Sequence, residues 1–440
     1  MPKELIADTS LDYYLVNFDA LGDERDEPNG TLMSQRLIEM LQTEPISDVF
    51  VISHGWLGDI PAARDQYSRW IRAMAANTAD IEKLKQVRSN FKPLLIALHW
   101  PSLPWGNETL KAETEEAFVN SIVSEYTEQI ADTEPARNAL RTIGAEALKD
   151  VAPDQLSAQT VQAYKVLNQE AALGSEGEAA APGNDREPFD PETIYDETEI
   201  DEDSVGYDES GDLILSRIFS PLRSLSYWKM KARARQFGEG GGFEFLSKLQ
   251  QKAAEETRFH LIGHSFGCIV VSGTLAGPKG KGVLPRPVNS LSLIQGALSL
   301  WSYCADIPVA KGKPGYFYPL IAESLVAGPI ITTRSEHDSA VGTLYPLASG
   351  IVMSDPDFGD DLPRYGGIGT FGIQGDGLEI NDINMLPCDQ AYNFEPGKIY
   401  NIEASKYIRK IPPNAGLGGA HSSIDEPEVA HAVWSAVIGI

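Results

Sequence analysis

The chain has 440 residues, 42% hydrophobic and 9% aromatic, which is enough apolar surface for a large core that needs no disulfide or metal staple. Its formal net charge of −27 excludes a nucleic-acid backbone as partner and disfavours anionic membranes, since both demand clustered Lys and Arg. The three cysteines, Cys268, Cys304 and Cys388, have no CxxC spacing, which excludes a disulfide framework and a thiolate zinc site and leaves reduced thiols as the expectation.

Residues 1–8 (MPKELIAD) lack the apolar stretch of a secretory signal, which points to a cytoplasmic protein. The segments from Asp48 to His54 (DVFVISH) and from Leu94 to His99 (LLIALH) read as buried parallel strands. Between them Tyr67, Trp70, Ile71 and Met74 repeat at helical spacing over about 65–89, so the unit is β-α-β and predicts a mostly parallel sheet with helices on both faces. The tract from Asn107 to Leu167 is rich in Ala, Glu, Leu and Gln and predicts a helical insertion. From about Gly174 to Asp212 the composition turns Ala/Gly/Pro-rich and then acidic, with thirteen Asp or Glu against one Arg between Asn184 and Asp212, which predicts a solvated, disordered linker. Asp201, Asp203 and Asp212 are spaced somewhat like calcium-loop ligands, but Val205 at the fifth position and Asp at the twelfth argue against that use. The expected organisation is therefore 1–106 as the N-terminal part of one core, 107–212 as the helical and acidic insertion, and 213–440 as the C-terminal part. Further strands are expected from Arg258 to Gly263, Asn289 to Gln295, Gly328 to Thr333 and Lys398 to Glu403.

The chemistry-bearing motif lies in the most apolar stretch, from Phe259 to Gly277. That stretch has membrane-span length, but His260, His264 and its glycines make it a strand, a turn and a helix start, so no transmembrane segment is expected. The turn is Gly263-His264-Ser265-Phe266-Gly267. Such a sharp strand-to-helix turn leaves no room for side chains at its glycines and lifts the serine above the sheet as a nucleophile. Earlier in the chain, His54-Gly55-Trp56 follows an expected strand, where a loop can supply a second oxyanion donor. The expected donors are the backbone N–H groups of Trp56 and Phe266, and by analogy with similar loops His54 braces this one.

A serine hydroxyl needs an imidazole base oriented by a carboxylate. The seven histidines are His54, His99, His260, His264, His337, His421 and His431. The chain order nucleophile, acid, histidine that accompanies this turn leaves His421, in a loop after the last expected strand, and His431, inside a helix starting near Glu426. His421 is preferred, because a loop at a sheet's C-terminal edge can reach Ser265. Asp338 follows a β-branched run and is preferred as the acid, with Glu336 and Asp306 as competitors.

These elements, His54-Gly55-Trp56, Gly263 to Gly267, Asp338 and His421, resemble the α/β-hydrolase superfamily of the serine esterase and lipase type. The run Tyr227-Trp228-x-Met230-Lys-x-Arg233-Ala234 before Gly238 resembles a helix of poorly characterised microbial members, with Trp228 and Met230 as its packing residues. The resemblance implies an α/β-hydrolase fold and hydrolysis of a neutral carboxylic ester, from a small molecule or a lipid, with no cofactor and no metal. Thioester, amide and lipid acyl bonds suit the same machinery, and a non-catalytic hydrolase-fold binding protein is the other alternative. Trp100, Pro101, Trp105 and Trp301 fall at expected strand ends, where an apolar acyl pocket opens in such sheets.

Overall fold

The computed structural model describes residues 3–6, 9, 11–28, 30–56, 60–102, 114–148, 155–174, 177–197, 210–344, 362–411 and 419–438. They divide into two compact units: residues up to 102, 233–344 and 362–438 form the first, and 114–232 the second. Trp105 and the residues from Asp201 to Gly206 lie outside the described set.

The first unit is built on nine strands: β1 (Lys3–Glu4), β2 (Tyr13–Asn17), β3 (Asp48–Ser53), β4 (Pro93–His99), β5 (Arg258–His264), β6 (Ser290–Ile294), β7 (Ile330–Arg334), β8 (Ile380–Asn384) and β9 (Ile399–Glu403). They form one sheet in the order β1-β2-β4-β3-β5-β6-β7-β9-β8. β1 pairs antiparallel with β2, and every other pairing is parallel. The chain is thus α/β with a mostly parallel sheet. All residues of β3 and β6 are buried, so both faces are covered, as continuous apolar strands of this kind require. On one face Phe50, Ile52, Ala97, Ile262 and Ile331 share a core with three helices. Tyr67, Trp70 and Met74 come from α2 (Ile60–Ala76), Leu84 from α3 (Thr78–Val87), and Val433 and Trp434 from the C-terminal helix, Pro427–Ile438. The alternate residues Val49, Val51, Leu261 and Leu293 are buried on the opposite face. That face meets α10 (Gly267–Ala276), whose ten residues are all buried. Two more helices, α1 (Met33–Thr43) and α9 (Phe243–Lys252), pack against each other.

The strands expected from the sequence are present within two residues of their limits. Three others, β1, β2 and β8, lie outside those expected. β8 (INDIN) is an edge strand whose residues are exposed or half-buried, so it carries no apolar alternation. The helix expected over about 65–89 is two helices broken at Asn77, whose side-chain amide donates to Pro427 O at 2.8 Å.

The second unit is helical: α4 (Glu115–Gln129), α5 (Glu134–Ala147), α6 (Ala158–Glu170), α7 (Pro191–Glu197) and the part of α8 (Ser210–Phe237) that precedes residue 233. Thr114, Thr133 and Ser157 cap α4, α5 and α6 by accepting from the backbone N–H of Ala117, Ala136 and Thr160. Phe118, Ile122, Tyr126, Leu140, Ile143, Tyr164, Leu167, Phe219 and Leu222 form its core. The disordered linker expected over 174–212 does not hold for residues 177–197. Glu178, Asp185 and Arg186 are buried there, and Asp185 pairs with the buried Lys231 at 2.6 Å. Composition misses the burial of Asp185 because its cationic partner, Lys231, stands 46 residues away. Trp228 and Met230 of α8 are buried. Among the described residues no helix is long and apolar enough to cross a membrane.

Candidate active site

β3 and β5 are neighbours, and the chain leaves β3 toward β4 but β5 toward β6, in opposite directions across the sheet, the arrangement in which sheets of this kind open a crevice at the strands' C-terminal ends. Ser265 stands in that crevice, between the end of β5 and the start of α10. Its φ is +56°, a left-handed conformation that a serine adopts only where its surroundings enforce it. Two backbone bonds do so: Ser265 N donates to Ile294 O at 3.1 Å, and Ser265 O accepts from Ala297 N at 3.3 Å. The flanking glycines are required by close approach. A Cβ on Gly263 would fall 2.5 Å from Gly267 O, and one on Gly267 would fall 2.2 Å from Ser53 O.

The loop after β3 is clamped from several directions. His54 is fully buried and donates from Nδ1 to Gly55 O at 2.6 Å, while its Nε2 receives the Nδ1–H of His99 at 3.1 Å. Its backbone N donates to Tyr67 Oη at 2.7 Å, and Trp100 Nε1 donates to its carbonyl at 3.2 Å. The Trp100 ring stacks on that of His54 at 5.7 Å, so Trp100 braces this loop. A Cβ on Gly55 would lie 2.6 Å from Ser265 Cβ, so the loop backbone passes directly against the serine. Beyond it the Trp56 ring stacks on that of Phe266, with centroids 5.8 Å apart.

Burial, helped by neighbouring His99, depresses His54 to about 3, and burial, helped by His421, holds His264 well below its ordinary 6.5. Both are neutral when folded, so the unfolded chain takes up their protons first. Stability is then full above about pH 6.5 and falls below it, by about 1.4 kcal/mol per pH unit for each histidine. The two losses add wherever both histidines are protonated only in the unfolded chain, and that of His54 continues toward pH 3. Urea midpoints measured from pH 7 to 4 check this; a flat profile contradicts the buried neutral pair.

On the far side of β5 the structure brings Asp338 and His421 together. His421 Nδ1 lies 2.9 and 3.0 Å from the two carboxylate oxygens of Asp338. Gln295 Nε2 donates to Asp338 Oδ2 at 2.7 Å and Val341 N to Oδ1 at 3.0 Å, so the buried carboxylate is fully satisfied. Gln66 Nε2 donates to His264 Nδ1 at 2.8 Å, and His264 Nε2 donates to His421 O at 3.0 Å. These bonds fix the tautomer of His264 and hold the His421 backbone beside the residue preceding Ser265. Ser265 Oγ has no hydrogen-bond partner among the described residues.

No family model, curated protein or solved structure matches the chain.

The competing acids lie elsewhere. Glu336 is exposed, 3.5 Å from His337, and Asp306 Oδ1 accepts from Gly312 N in a surface turn. His431 is committed to packing: Nδ1 lies 2.7 Å from Asp80, and Nε2 donates to Gln390 O at 2.7 Å. Trp301 is buried, with Nε1 donating to Arg364 O. The three cysteines are free, with Cys268 and Cys304 buried.

A Ser–His–Asp line of hydrogen bonds runs through the core near the N-terminal ends of the strands. Ser290 Oγ donates to His260 Nδ1 at 2.8 Å, and His260 Nε2 donates to Asp48 Oδ1 at 3.1 Å. All three are buried with at most 2% exposure, so no substrate reaches Ser290. Sequence reasoning missed this network and the role of Gln295. The only local signal for Gln295 is a polar residue directly after an apolar strand, at the sheet edge where sites form.

Proposed function

We propose that the chain is a serine hydrolase of the α/β-hydrolase type, cleaving a neutral carboxylic ester through an acyl-enzyme. The observation that carries this reading is the left-handed turn holding Ser265 after β5, with the Asp338–His421 pair tied to the preceding residue, His264, through His421 O. In the reading, His421 Nε2 takes the Ser265 hydroxyl proton as Oγ bonds to the ester carbonyl carbon. Asp338 holds Nδ1–H and stabilises the imidazolium that forms. The carbonyl oxygen carries the negative charge, and the N–H groups of Trp56 and Phe266 are the proposed donors to it. Collapse breaks the carbon–alkoxy bond, His421 returns the proton to the departing alcohol, and a water repeats the sequence to release the acid. The groups around the turn, His54, Gly55, Trp56 and Phe266, carry no charge at neutral pH, which suits an uncharged acyl group.

The test is turnover of p-nitrophenyl acetate, butyrate and octanoate, with matched thioester and amide substrates, by the parent and by Ser265→Ala. The parent should hydrolyse the esters best, and the variant should fall to the buffer rate. A folded parent inactive on every substrate overturns the reading.

A further inference from the structure

We propose that Gln295 is a positioning residue that fixes nucleophile and acid to one mount; this rests on the serine-hydrolase reading above. Gln295 directly follows β6 and is fully buried, yet its φ is +46°, in the left-handed region that favours glycine. A buried glutamine kept in that conformation has to be held there by its surroundings, and the bonds on either side show what the turn accomplishes.

The residue before it and the second residue after it both grip the nucleophile. Ile294 O accepts from Ser265 N, and Ala297 N donates to Ser265 O. The side chain grips the acid through Nε2, which donates to Asp338 Oδ2 at 2.7 Å. Thr333 fixes the amide the right way round: its Oγ1 accepts from Gln295 N at 3.0 Å and donates to Gln295 Oε1 at 3.1 Å. The reverse orientation would set an amide oxygen against a carboxylate. Gly369 closes the other side, where a Cβ would lie 2.9 Å from Gln295 C and 3.1 Å from Asp338 Oδ2. One turn thus sets the separation of Ser265 from Asp338, and through Asp338 the aim of His421.

Glutamine is the side chain that suits these demands. It accepts from the Thr333 hydroxyl and donates to a carboxylate, while glutamate would place a second negative charge against Asp338 and leucine would offer no donor.

The test uses Gln295→Leu and Gln295→Gly in the full chain, assayed on a p-nitrophenyl ester beside Ser265→Ala. Glycine is compatible with the backbone at this position, so that variant tests the amide even if the leucine variant fails to fold. Both should lose about 10- to 100-fold in kcat with KM within about twofold, the pattern of lost positioning. In an Asp338→Asn background the same substitutions should cost less than about threefold, because Gln295 acts through that carboxylate; a merely structural residue would give additive losses. Unchanged kcat in both variants, or additive losses, overturns the role of Gln295 while Ser265→Ala still abolishes activity. If the parent is inactive, or Ser265→Ala is as active as the parent, the serine reading fails and the inference fails with it.

Discussion

Replacing His421 by alanine is expected to lower kcat for ester hydrolysis by about 10⁴- to 10⁶-fold, the range seen when a serine relay loses its base. The fold should survive, because Asp338 keeps the donors Gln295 Nε2 and Val341 N after the imidazole is gone. The thermal midpoint should therefore move by only a few degrees. His337→Ala is the matched control. Its ring is exposed and, among the described residues, pairs with Glu336 alone, at 3.5 Å, so turnover should stay within about twofold of the parent. Loss of activity in the His337 variant with retention in the His421 variant would reassign the base.

Asp48→Ala is expected to cost about 3–5 kcal/mol of stability, the penalty for stranding a buried charge. Arg88 Nη1 donates to Asp48 Oδ1 at 2.5 Å, with side-chain exposures of 5% and 0%. Ser47 Oγ donates to Oδ2 at 2.6 Å, and His260 Nε2 also donates to the carboxylate. Burial alone would raise this carboxyl; the bonds from His260 and Ser47 and the Arg88 charge outweigh it and hold it below the usual range. Removing the carboxylate leaves Arg88 with Val437 O as its one remaining acceptor among the described residues. Exchanging both partners for apolar residues, Asp48→Leu with Arg88→Met, should recover most of the loss, since a buried pair is often no better than a well-packed apolar one. Urea midpoints of the single and double variants decide this. A single variant as stable as the parent would show the pair to be dispensable.

The parts of this molecule legible in its sequence are those written in local sterics. β3, β5 and β6 announce themselves because strands buried on both faces are continuous β-branched or apolar runs. The Ser265 turn is legible because Gly263 and Gly267 have no alternative where backbone passes within 3 Å of a Cβ position. His421 and Asp338 could be chosen because only seven histidines exist and loops after C-terminal strand ends are few.

What escaped detection depends on partners distant in sequence. β8 is an edge strand with mostly polar residues, and it lies outside β9, against chain order. Asp48 reads as the first residue of a strand, and nothing nearby reveals Arg88 and His260 converging on it. Asp185 in its acidic run gives no hint of Lys231, which burial lowers to about 8 despite the Asp185 charge. Gln295 is invisible for the same reason, since its function lies in a left-handed φ and in Thr333 and Asp338, 38 and 43 residues further along.

The most direct test of the account is covalent labelling with a fluorophosphonate probe, followed by peptide mapping by mass spectrometry. One adduct is expected, on Ser265 Oγ, lost in Ser265→Ala and strongly slowed in His421→Ala. A folded parent left unlabelled at Ser265, or labelled at another serine in its place, would contradict it.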